Sequence, residues 1–133
     1  MKKKSISQLK KKLWVIVSKR IKERDDYICF TSGKRVEGMN AHCGHMFPSG
    51  SCGATLRYHP KNLHCQSYNE NINNGGNGTV YALNFIQKYG QDEMHKMLML
   101  KNKTIKADIW FYEELIRLYT EGTFEEIEEY LEK

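Results

Sequence analysis

Three short stretches of this 133-residue chain carry side chains able to work on water and a cation. They are His42-Cys43-Gly44-His45, then Asn62-Leu63-His64-Cys65-Gln66, then Asn71 followed by Gly75-Gly76-Asn77. An imidazole near its neutral pKa takes a proton from water at pH 7. A neutral amide oxygen helps to hold a cation without competing for that proton. Histidine and asparagine at separated positions around a hairpin therefore point to water activation beside a hard metal. Side chains alternate across a strand, so Asn62 and His64 share one face, while His42 and His45 point to opposite faces unless a bulge intervenes. His59 reads as a surface or hydrogen-bonded residue, and His95, beside Met94 in a helix, reads as structural.

These residues need elements to hold them. Residues 25–77 lack helical periodicity and hold seven glycines, four of the five histidines, all four cysteines and both prolines. This is a loop-rich segment, with strands expected at 39–46, 55–58 and 62–66. Helices are expected on either side. Ser5 with Gln8 forms a capping box for a helix over 5–24, with Lys10, Lys11, Lys12, Lys19 and Arg20 on its outer surface. Thr79 is expected to cap a helix over 80–89 ending at Gly90, and 91–101 continues with a Met-rich stretch, more often core filler than a sticky surface. Asp108 opens a further helix, and Thr123 with Glu126 caps the last. The predicted fold class is α+β in a single domain, 1–133: a basic helix (1–24), a hairpin-and-helix core (25–77) and a helical C-terminal part (78–133).

Charge is distributed unevenly. Residues 1–37 carry a net +8, residues 38–106 a net +4 and residues 107–133 a net −7, within a total of +5. A basic head and middle suit a polyanion, most often nucleic acid. The acidic end is either a solvated helix face or a clamp on the basic head. No apolar run approaches 18 residues, and Lys10, Lys11 and Lys12 interrupt any signal-peptide core, which predicts a cytoplasmic protein that avoids membranes. The four cysteines are then expected as thiols or metal ligands.

At these motifs the chain resembles the NinG (Rap) family of phage recombination nucleases, within the HNH or ββα-metal nucleases. The resemblance rests on Gly44-His45, Leu56-Arg57, Asn62-Leu63-His64-Cys65-Gln66, Asn71 and Gly76-Asn77. Leu13-Trp14 with Arg24-Asp25, and Tyr81 with Tyr89-Gly90, agree on the flanks, so that residues 9–90 are covered. The resemblance implies a small ββα-metal core embedded in helices, and metal-dependent cleavage of branched recombination DNA, such as a four-way junction or D-loop, to 5′-phosphate and 3′-hydroxyl ends. It implies His45 as general base, Asn62 as the residue that pins the hairpin loop, and Asn71 as a ligand of one divalent cation, magnesium or manganese. The second ligand is open between His64, preferred on strand alternation, and His42, because the position before the base is Gly44. Arg57, Asn77 and the lysines at 2–4 and 10–12 are the expected phosphate contacts, and the Met- and Tyr-rich C-terminal helices are a candidate homodimer interface. The resemblance to phage proteins implies the bacterial host cytoplasm. The family's two Cys-x-x-Cys pairs fall on Cys29 and Ser32, and on Ser67 and Glu70, so its structural zinc is expected to be lost. The alternatives are a nicking nuclease indifferent to DNA structure, and a non-catalytic DNA-binding module on a decayed nuclease scaffold.

Overall fold

The computed structural model describes residues 5–133, so the lysines at 2–4 lie outside the described residues. Helix α1 spans Ile6–Arg24, and both hydrogen bonds of the Ser5–Gln8 capping box are present. Leu9, Leu13, Val17 and Ile21 recur every four residues and form its buried stripe. The stripe packs against α5 (Ile109–Glu121), which buries Phe111, Tyr112, Leu115, Leu118 and Tyr119. Arg20 does not stand on the outer surface as expected. Its guanidinium donates to the carbonyls of Leu118, Tyr119 and Gly122 and lies over the Phe124 ring, closing the C-terminal end of α5.

The sheet is one antiparallel pair, β1 (Ala41–His45) with β2 (Leu63–Ser67). Its register sets His42 opposite Gln66, Cys43 opposite Cys65 and Gly44 opposite His64. Arg24, at the end of α1, bonds the carbonyls of Pro60 and Leu63 and pairs with Asp25 at 2.8 Å, while Asp25 accepts the Cys65 amide. One buried ion pair thus sews the helix to the strand. The expected strand at 55–58 is instead a one-turn helix, α2 (Ala54–Arg57). The amides of Arg57 and Tyr58 return to Gly53 and Ala54, and Leu56 drops into a second apolar cluster with Cys52, Phe85 and Met97. Tertiary burial outweighs the strand preference of Thr55.

After β2 a wide helical turn, Asn69–Asn73, leads into α3 (Gly78–Tyr89) and α4 (Gln91–Leu100). The N-cap of α3 is Asn77, in left-handed backbone (φ 50), rather than Thr79. Met97 is fully buried, in keeping with core filler, whereas Met99 and Trp110 are exposed. Tyr112 and Tyr119 are buried in the internal core. His95 is exposed on α4 rather than structural. Among the described residues no helix is long and apolar enough to cross a membrane.

The last helix, α6 (Phe124–Glu132), begins with the Thr123–Glu126 capping box. Among the described residues its carboxylates form no ion pair with the lysines of α1. Glu128 pairs with Lys61 at 3.4 Å and Glu132 with Lys96 at 3.0 Å, while Glu93 bonds both lysines. His59 is fully buried beneath this network and donates from Nε2 to Glu132 at 3.1 Å. Burial pushes its imidazole down to about 4, against the opposing pull of Glu132. The unfolded chain takes up that proton near pH 6.5, so unfolding binds a proton in between, and stability falls as pH drops through this window. Urea denaturation at pH 7 and pH 5 is expected to show a loss of about 2 kcal/mol from this group. His59→Phe should shrink the loss, and an unchanged difference would contradict the assignment.

Candidate active site

A cleft of about 620 Å³ opens between α1 and the hairpin. Lys10, Trp14 and Ser18, one helical face four residues apart, form one wall. His42, Cys43 and His45 of β1 form the floor, and Arg57 and Asn71 close the sides. The structure therefore brings His45, Asn71, Arg57, Lys10 and His42 together.

His45 is held on two sides. Its ring stacks on Trp14, with centroids 5.3 Å apart and planes within 8°. Its Nε2 lies 3.0 Å from the Arg57 carbonyl, which can only accept. The proton of the neutral ring is therefore on Nε2, and the lone pair is on Nδ1. Nδ1 has no hydrogen-bond partner among the described residues. Burial holds the His45 pKa below its ordinary value, which the Arg57 hydrogen bond only partly offsets, so the ring is neutral at pH 7.

Asn62 is fully buried and bridges the long hairpin connection. It accepts the Phe47 amide at 2.8 Å and donates to the carbonyls of Phe47 and Leu56 at 3.1 and 2.9 Å. The loop that carries the Arg57 carbonyl is thereby tied to the foot of β2. Arg57 itself donates to the Ser49 and Cys52 carbonyls, so it braces the loop as well as lining the cleft.

Asn71 donates from Nδ2 to His42 Nδ1 at 3.1 Å. His42 thus orients the amide, and it lines the same cleft as His45 although simple alternation sets the two on opposite faces. Above Gly44 the space is taken: a Cβ there would collide with the Gln66 amide oxygen and lie 3.1 Å from Asn71 Oδ1.

His64 is corrected. It is fully buried and stacked on Phe30, and neither ring nitrogen is free. Tyr81 gives its hydroxyl proton to the Gly44 carbonyl, so it must accept from His64 Nδ1–H. Tyr89 then donates to Nε2 at 2.8 Å. No lone pair remains for a metal, and burial keeps the ring neutral. Strand alternation identified the face of His64 but not that α3 covers it. Asn77 is corrected too. It lies outside the cleft, with its amide on both Glu70 oxygens at 3.2 Å, where the Gly75-Gly76 turn enters α3. Of the three neighbouring lysines only Lys10 lines the cleft; Lys11 is exposed and Lys12 borders the groove between α1 and α5.

The positions of the family's thiolates are tied by hydrogen bonds. Cys29 Sγ accepts the Ser32 amide, Ser67 Oγ accepts the Glu70 amide, and Glu70 accepts from Asn74 and Asn77. Cys29 packs with Val36, Ala41 and Cys65. Among the described residues one group of three metal-type ligands converges: His59, Glu128 and Glu132. His59 Nδ1 already accepts the Lys61 amide, which puts the ring proton on Nε2, and the two carboxylates face Lys61 and Lys96. This group is an ion-pair clasp rather than a cation site.

Trp14 and Gln66 are the contributions that motif spacing alone did not assign to the site, whereas His42, the alternative ligand on sequence, lines the cleft as the partner of Asn71. The family model described as Bacteriophage Lambda NinG protein matches residues 1–128. That span extends beyond residues 9–90, through α4 and α5 into α6. No curated protein and no solved structure matches the chain significantly.

Proposed function

Because the chain belongs to the bacteriophage lambda NinG family, we propose that the cleft is the active centre of a metal-dependent DNA endonuclease of the HNH, or ββα-metal, kind. The observation that carries this is His45: a neutral imidazole, fixed by Trp14 and the Arg57 carbonyl, with the Nδ1 lone pair unpartnered in a cleft lined by Lys10 and Arg57. Nδ1 takes the proton of the water that attacks the phosphodiester phosphorus. Asn62 keeps the base aimed by holding its loop. Lys10 and Arg57 bind backbone phosphate. The donors fit a hard ion, because Asn71 gives its Nδ2 to His42 and leaves its amide oxygen without a donor among the described residues, beside Gly44. Magnesium or manganese bound there would supply Lewis-acid stabilisation of the leaving oxygen. The products are 5′-phosphate and 3′-hydroxyl ends.

The substrate we propose is branched recombination DNA, in keeping with a phage recombination role. Purified protein meets a labelled four-way junction and a matched linear duplex, each with magnesium, manganese or chelator. Metal-dependent cutting that favours the junction is expected. Equal cutting of both DNAs would remove the branched substrate and leave the nuclease. Shifted DNA without cutting in any metal would make the chain a binding module. Binding through lysines and arginines releases counterions, so affinity should fall steeply between about 50 and 200 mM salt. A flat salt response would argue against a phosphate partner.

A further inference from the structure

We propose that the Gln66 amide oxygen is a second ligand of the divalent cation, sharing it with Asn71 Oδ1, and that position 44 is glycine to leave room for it. This rests on the nuclease reading for the identity of the site, but its test does not depend on cutting.

Gln66 is fully buried, and its Nε2 donates to Thr31 Oγ1 at 3.0 Å and to the Gly76 carbonyl at 2.9 Å. A carbonyl only accepts, so the amide nitrogen must lie on that side and the amide cannot be turned over. Oε1 therefore faces Gly44. It has no hydrogen-bond donor among the described residues. A buried orphaned acceptor is costly and calls for a partner.

The neighbouring group is not a donor either. Asn71 gives its Nδ2 to His42, which leaves Oδ1 turned to the same space. Two amide oxygens thus converge above Gly44, and neither has a donor among the described residues. Register puts Gln66 directly opposite His42 on β1, so one cross-strand pair supplies both a ligand oxygen and the residue that aims the other. Neutral amide oxygens are hard ligands of the kind that magnesium, manganese and calcium accept, with the remaining positions left for water and phosphate. Two uncharged ligands hold such an ion weakly in the free chain, at manganese concentrations that paramagnetic broadening still detects, and the phosphate of bound DNA adds to its hold. The strand alternation that favoured His64 as partner ligand pointed to β2, two residues short of Gln66.

The test is manganese titration of the isotope-labelled full chain, read by paramagnetic broadening in NMR spectra. In the wild type, the side-chain amide signals of Gln66 and Asn71 and the backbone amide of Gly44 should vanish first. In Gln66→Ala, at least tenfold more manganese should be needed to broaden Gly44 and Asn71. The double variant Gly44→Asp with Gln66→Ala places a carboxylate in the vacated space and should restore the response. Gly44→Asp alone should not, because its side chain collides with Gln66. Wild-type broadening centred elsewhere, or absent, would overturn the proposal, as would an undiminished response in folded Gln66→Ala. Broadening at Gly44, Gln66 and Asn71 without any DNA cleavage would keep the ligand assignment and sink the nuclease. Cleavage with an unaltered manganese response in Gln66→Ala would do the reverse.

Discussion

Replacing His45 with Ala is expected to lower the rate of DNA cleavage by roughly 10²–10⁴-fold, the range lost with a general base. DNA binding should change little, since Lys10 and Arg57 remain in place. Folding should change little too, because the ring is half-buried and makes one hydrogen bond. The pH profile carries the more specific prediction. A base works in its unprotonated form, and burial holds His45 below the ordinary imidazole value. Activity should therefore persist into mildly acidic solution and fall only as pH drops through that lowered pKa. Trp14→Ala opens the stacked face to water, which relieves the burial and should move the acid limb upward in pH. Single-turnover rates across pH, measured beside DNA affinity, check both points. Undiminished cutting by His45→Ala would remove the residue from the chemistry.

The second large effect is expected at Asn62. Asn62→Ala leaves the Phe47 amide and the Phe47 and Leu56 carbonyls without their partner inside a closed region. Each unsatisfied buried group costs about 1–3 kcal/mol, so with partial rescue by water the total should be roughly 3 kcal/mol. In a chain of this size that lowers the melting midpoint by about 10 °C. Cleavage should fall with it, because the freed loop carries the Arg57 carbonyl that fixes the His45 tautomer. Asn62→Asp separates the two halves of the amide. It keeps the acceptor for Phe47 but sets a carboxylate against two carbonyls, and should be at least as damaging at neutral pH. Calorimetry and cleavage by both variants test this; an Asp variant as stable as the wild type would contradict the assigned hydrogen bonds.

Some of this was legible in the sequence because local chemistry settles it. The Ser5–Gln8 and Thr123–Glu126 boxes and the four-residue spacing from Leu9 to Ile21 mark helices whatever surrounds them. The Gly44-His45 and Asn62–Gln66 stretches locate the two strands within two residues. The α+β class follows from those elements. What stayed hidden depends on packing between distant segments. Whether Leu56 lies in a strand or a helical turn is decided by Phe85 and Met97, about thirty to forty residues away. His64 shows the suitable ligand type at a suitable spacing, yet Tyr81 and Tyr89 from α3 consume both of its nitrogens. Arg20 looks like one more surface cation, until α5 arrives with open carbonyls. His42 and Gln66 belong to the motif stretches, but only the register shows that they face each other beside Asn71. Periodicity gives the face of an element; it does not say what will cover that face.

The most direct measurement of the central claim is the chemistry of the DNA ends left by the wild type and by His45→Ala on a labelled four-way junction in manganese. Nicks bearing 5′-phosphate and 3′-hydroxyl should accumulate with the wild type, disappear on chelation, and be nearly absent with the variant. Identical nicks from both proteins, or bound and uncut DNA with the wild type in magnesium and manganese alike, would contradict a cleft in which His45 activates water.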